Sequence, residues 1–232
     1  MPPPLPGALR RALHTSGAAA YFACCPAGAI SSQFHHSCKN GHVDGRRYSH
    51  AVDVDWNAEL VDQLESHWHA QLRPRLNGLT DDEYFWQPVP GCWTLSRRGS
   101  EEFVLDYAHP LNGPAPVTTI AWRLAHLLDV FGPPATPHFE GSPGGQTAMT
   151  YPGTAAAALR QLDGGHDAWV RDLRSLGATG IIRAQGAISP PEYAEAPMAK
   201  LILHTHREVI HHGAEICLLR DLYLGKGGLS GL

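Results

Sequence analysis

Residues 204 to 215 read HTHREVIHHGAE, with four histidines and two glutamates in twelve positions, directly before the apolar run ICLLRDLYL. On a helical wheel of about 100° per residue with His204 at zero, His211 falls near −20° and Glu215 near 20°. On that wheel Glu208 falls near 40° and His212 near 80°, so all five ionisable groups share an arc of about 100°. Leu201, Leu219 and Leu222 extend the same arc beyond either end, which predicts that the polar stretch faces inward. Burying that many ionisable groups costs several kcal/mol each unless charge or hydrogen bonds compensate, and a divalent cation compensates efficiently. Glu208 and His212 stand one turn apart, the spacing at which two side chains of one helix grip one ion.

Two ligands need a third from another helix. His126, within TTIAWRLAHLLDVF, shares a core-like face with Thr119, Trp122 and Val130 and is the best candidate. A lone histidine there would read as a core residue bonded to a backbone carbonyl; its pairing with Glu208 and His212 turns the reading toward a metal. The competing reading of residues 204 to 215 is a solvated face held by i, i+4 pairs, and Leu203, Ile210 and Cys217 on the opposite face leave the orientation open.

The elements that must position these residues are helical. DWNAELVDQLESHWHAQLR opens on Asp55 as N-cap and carries Leu60, Leu64, Trp68 and Leu72 at i, i+4 spacing up to Pro74. Thr80 and Glu83 have capping-box spacing, and a long Pro- and Gly-studded connection follows over about residues 87 to 117. The next helix starts at Thr118 or Thr119 and stops at GPP. A third begins near Thr154 and ends at Gly177, with Gly164 and Gly165 as a point of interruption. SPPE has capping-box spacing for a short turn, and a last helix runs from about Pro197 to Tyr223 and stops at Gly225. Four helices and almost no strand signal predict an all-α four-helix bundle over residues 52–225, with residues 226–232 a Gly-rich tail.

Residues 1–51 have poor periodicity and no acidic residue before Asp44, and read as a disordered or mis-started extension. Arg10 and Arg11 before ALHTSGAAAYFACC weakly resemble a targeting signal, and Cys24, Cys25, His35, His36, Cys38 and His42 form a zinc-capable cluster without paired C-x-x-C spacing. Five cysteines without repeated spacing suit a reducing, cytoplasmic setting. A net charge of −4 without a basic stripe gives no reason to expect nucleic acid, and no apolar stretch approaches the roughly 20 residues of a membrane span.

WRLAHLLDVFG, followed some eighty residues later by HTHREVIHHGAEICLLRDLY, resembles the DinB-like four-helix bundle superfamily, which includes the mycothiol-dependent maleylpyruvate isomerase and bacillithiol transferases. The likeness covers about residues 52 to 224 and includes RPRLNGLTDDEYFWQPVPGCW and PVTTIAWRLAH. It implies one histidine ligand on the second helix and two ligands four residues apart on the last, which fall on His126, Glu208 and His212. Many members have histidine where this chain has Glu208; the isomerase branch is similar to this chain in having glutamate.

Two histidines and a glutamate leave zinc an open fourth position, the mark of a catalytic site; nickel is the alternative metal. A small thiol such as mycothiol in that position would be held as thiolate, giving transferase or isomerase chemistry. Water there, with its pKa lowered to about 7, would give a hydrolase, and binding without catalysis stays open as a stress-protein role. HExxH is absent, because Arg207 separates His206 from Glu208, and the E-x-x-H of Glu208 and His211 lacks the second copy a di-iron bundle needs, since Trp68 follows Glu65 at i+3. His204, His211, Glu215, Arg123 and Trp122 are candidates for outer-shell or pocket roles, Arg123 as a bidentate clamp for a carboxylate, with an exposed helix arginine as the commoner alternative. Trp56, Trp86 and Trp93 as cleft aromatics, and Cys92 as a reactive thiol, have the alternative of simple core packing. The partners expected are a small-molecule substrate and, as an open question of assembly, a second copy of the chain.

Overall fold

The computed structural model describes residues 53–99, 102–108, 113–140 and 151–229, with side chains as far as residue 226. The N-terminal extension with its cysteine and histidine cluster, and residues 230–232 of the tail, lie outside the described residues. The chain is all-α with one small hairpin. Helix α1 (Trp56–His67) opens on Asp55, whose carboxylate accepts the N–H groups of Asn57 and Ala58. It does not stop before Pro74, as the sequence suggested. It passes through a π turn (Trp68–Leu72), in which the Arg73 N–H reaches back to the Trp68 carbonyl, into a final α turn (Arg73–Arg75). The wider turn removes the clash of the proline ring with the preceding carbonyl that would end a regular helix.

Helix α2 (Asp81–Tyr84) carries the expected capping box of Thr80 and Glu83. The long connection, read as irregular, instead folds part of itself into an antiparallel hairpin, β1 (Leu95–Arg98) with β2 (Glu102–Leu105). Its strands are four residues each, too short for alternation to register in the sequence. Helix α3 (Ile120–Phe131) starts at Thr119, whose hydroxyl accepts the Trp122 N–H, and ends at Gly132, whose φ of 72° is a conformation glycine adopts freely. Nine of its twelve residues are buried all round, the signature of an element covered on several sides.

Helix α4 (Ala155–Ile182) is capped by Thr154 and runs straight through Gly164 and Gly165. The backbone breaks at Gly177, where the sequence placed the end, but a further stretch continues to Ile182. SPPE forms a 3₁₀ turn (Pro191–Tyr193) without the expected capping box, because the Ser189 hydroxyl donates to Gln185 instead. Helix α5 (Met198–Leu229) continues beyond the expected stop at Gly225, since among the described residues that follow neither a proline nor a left-handed glycine ends it.

Helix α1 packs on α4, α4 on α3, and α3 on α5, and α5 returns to α1, which closes a four-helix ring around Leu64, Leu124, Leu127, Leu162, Leu173 and Ile202. None of the described helices is long and apolar enough to cross a membrane.

The two glycines of α4 do different things. A Cβ on Gly165 would lie 3.1 Å from the Phe131 Cβ, an atom next to the α3 backbone that no rotamer change can move, whereas one on Gly164 would meet only Pro134 at 3.7 Å. Gly164→Ala is therefore expected to stabilise by up to about 1 kcal/mol through helix propensity. Gly165→Ala is expected to destabilise by about 1–2 kcal/mol, because the α3–α4 crossing must open. Thermal melts of the two single variants check the opposite signs.

Candidate metal centre

The centre sits between α3 and α5, with the hairpin at its edge. The Asp106 carboxylate accepts the Thr94 N–H at 2.9 Å and the Ser96 hydroxyl, which folds the end of β2 back on the start of β1. The Asp106 carbonyl, turned the other way, accepts the Trp122 indole N–H at 2.8 Å. The Trp122 ring lies at 26° to the His126 imidazole with centroids 5.7 Å apart, so the hairpin fixes the ring that fixes His126.

From α5, Glu208 and His212 come to meet it. His212 Nε2 lies 3.3 Å and His126 Nε2 3.6 Å from the same Glu208 oxygen, Oε2. The other oxygen, Oε1, is held by Arg207 at 3.2 Å and His204 at 3.4 Å. His126, Glu208 and His212 are all buried, and one ligand atom from each lies within 4.8 Å of the others.

Outside this trio, His212 Nδ1 is 2.6 Å from Glu215 Oε2, and Arg123 is ion-paired with that same oxygen. Arg123, read from the sequence as a carboxylate clamp or an exposed helix arginine, is largely buried and holds a carboxylate of the protein itself. His211 reaches Glu215 at 3.4 Å from an exposed position.

The charges are strongly coupled. The His126 and His212 imidazoles hold the Glu208 carboxyl far below the usual carboxylate range. Burial pushes His126 down. Burial also acts to lower His212, but hydrogen bonding to Glu208 and Glu215 outweighs it and raises that group. Burial acts to raise Glu215, and His212 with Arg123 outweighs it and lowers it. A buried carboxylate oxygen facing two imidazole nitrogens is a nitrogen and oxygen donor set that zinc and similar divalent ions take, and the residues fit such an ion.

The remaining aromatic and thiol candidates divide. Trp93 packs at 6.1 Å from Trp122 and belongs to the same edge. Trp86 stacks edge-on against Tyr223, Trp56 is exposed on α1, and the buried Cys92 thiol turns to the Val89 carbonyl. Two features escaped the sequence reading. Asp106 gave no signal, because its role depends on a hairpin that local patterning does not reveal. His206, which is not among the five groups placed on the inward arc, is buried.

Among protein families, the model described as the DinB superfamily matches residues 63–216. The chain belongs to the DinB superfamily. The match runs from within α1 to Ile216 of α5 and includes His126, Glu208 and His212. Compared with curated proteins and with solved structures, the chain finds no match.

On the far side of α5 in this DinB bundle, His206 is only 1% exposed. The Trp169 indole can only donate, so its approach at 3.4 Å makes His206 Nε2 an acceptor and leaves the proton on Nδ1, which faces Gln63 Oε1 at 3.2 Å. A second proton would set N–H against N–H. Burial accordingly lowers its pKa to about 4. The unfolded state, with an ordinary histidine, therefore binds more protons between about pH 6.5 and 4. Stability should be independent of this group above about pH 6.5 and should fall by about 3 kcal/mol as the pH drops to about 4. His166, lowered by the same burial, adds to the slope. Denaturant melts at several pH values check this, and His206→Gln should flatten the curve.

Proposed function

We propose that the chain is a divalent-metal-dependent enzyme of thiol transfer or isomerisation, with zinc as the metal and nickel as the alternative. It takes a low-molecular-weight thiol such as mycothiol as cofactor and a small molecule as substrate. The observation that carries this reading is the convergence of His126 Nε2 and His212 Nε2 on one Glu208 oxygen in a buried site. A divalent ion bound there would supply the charge that holds a thiol as thiolate, nucleophilic at neutral pH.

The chain's own residues prepare that site. Arg207 holds Glu208 Oε1, with His204 beside it, and so presents Oε2 to the two imidazoles. Trp122 orients His126, and Glu215 orients His212. At the rim, the part-exposed His204 is pushed below its ordinary pKa by burial, and its Nδ1 accepts an Arg207 N–H at 2.6 Å, so the ring steadies the arginine that holds Glu208. Glutamate at position 208, as in the isomerase branch, supports the same reading.

The test is titration of cobalt-substituted protein with low-molecular-weight thiols. A thiolate-to-cobalt charge-transfer band is expected. Its absence together with esterase or amidase activity would replace this reading with a hydrolase, and absence of both with a binding protein.

A further inference from the structure

A second trio overlaps the first. His211, His212 and Glu215 also offer ligand atoms within 4.8 Å of one another. The two trios share the His212 ring, whose Nε2 faces Glu208 and whose Nδ1 faces Glu215. A ring presented in this way to two ligand sets could, once deprotonated to imidazolate, give one nitrogen to each of two ions. The second set, however, already has a cation at it. Arg123 Nη1 lies 3.0 Å from His212 Nδ1 and is paired with Glu215 Oε2, two of the three positions a second ion would use.

We propose that Arg123 is the resident cation of this second trio and keeps the centre mononuclear. Guanidinium does not lose its proton in proteins, so its charge is permanent, and here it is largely removed from solvent, where salt screens it little. A divalent ion approaching His211, His212 and Glu215 meets that charge at close range. Glu215 consequently stays an outer carboxylate, which accepts the His212 Nδ1–H and leaves Nε2 as the nitrogen with a lone pair for the first trio. The charge on Arg123, rather than the choice of ligands, sets the metal count. The proposal rests on the reading that His126, Glu208 and His212 take the first ion.

The experiment is zinc and cobalt stoichiometry of the full chain by elemental analysis and chelator competition. Wild type should bind one equivalent, and Arg123→Met a second. The double variant Arg123→Met, His211→Ala should return to one, and Glu215→Gln alone should weaken the single equivalent about 10–100-fold without adding another. A folded Arg123→Met that binds one equivalent with unchanged affinity overturns the proposal. Should that variant fail to fold, Arg123→Gln is read in the same way. Wild type settles the question from the other side: a second equivalent that His211→Ala abolishes would show that Arg123 excludes nothing. Wild type without metal overturns the reading of the centre and the proposal with it, whereas one equivalent in every Arg123 variant overturns the proposal alone.

Discussion

His212→Ala should lower the affinity of the protein for zinc by at least about a hundredfold. Zinc sites with four ligands bind with roughly 10–16 kcal/mol in all, so loss of one donor removes about 3 kcal/mol. The metal-free variant also loses stability, because Glu208 and His126 remain buried with one partner fewer. Chelator competition measures the change. Retention of a full equivalent at wild-type affinity would remove His212 from the ligand set. His204→Ala, which removes a neighbour of Glu208 Oε1 and of Arg207 rather than of Oε2, should cost far less, and the contrast between two histidines of one helix separates ligand loss from general damage.

The second large effect concerns stability. Arg220 on α5 is 8% exposed and Glu83 on α2 only 2%. Arg220 donates to both Glu83 oxygens and to the carbonyls of Arg75 and Asn77, so one guanidinium joins α5 to α2 and to the end of the first helix. Burial acts to raise the Glu83 carboxyl, and the Thr80 and Arg220 hydrogen bonds outweigh it and leave it lowered, so the group is a buried anion. Arg220→Met leaves that anion with Thr80 alone as donor and without its countercharge, removes the side-chain donor of two carbonyls, and should destabilise by about 3–5 kcal/mol. In a domain of this size that is a drop in Tm on the order of 10 °C. Calorimetry measures it, and a loss below about 1 kcal/mol would mean that water replaces the arginine. The double variant Glu83→Gln, Arg220→Met should recover part of the loss, because it removes the charge as well as its partner.

The bundle was legible because its start signals are local. Asp55, Thr80, Thr119 and Thr154 all cap the helices they precede. The trio was legible because spacing on one helix is local too, and one histidine on an apolar helix completed it. What the wheel misjudged was the centre of the inward face of α5. The arc from His211 to His212 was read as that face, but Ile202, Thr205, Val209, Gly213 and Ile216 are the buried line, centred some 100° further round at about 100° per residue. Glu208 and His212 lie on its edge, which places them in the core beside the rim, while His211 and Leu222 turn outward and His206 takes the opposite edge. Leucines at both ends of a helix do not locate its buried side when a second apolar stripe exists. The hairpin and the Arg123 pairing depend on elements far apart in sequence, and no local pattern contains them.

The π turn in α1 acts as a register counter. Leu60, Leu64, Trp68, Leu72 and Leu76 repeat every four residues, and the last four are almost wholly buried. In an unbroken α-helix a repeat of four advances by about 40° per step, so this row would wind some 160° around the axis and carry Leu76 toward solvent. The wide turn at Trp68–Leu72 takes up the surplus and returns the row to one line, with Leu72 set against Gly213 of α5. The length of this segment is therefore as much a part of the code as its composition: the surplus residue between Trp68 and Leu72 obliges the helix to widen, and a single-residue deletion there should let it close into a regular α turn with the row still on one line.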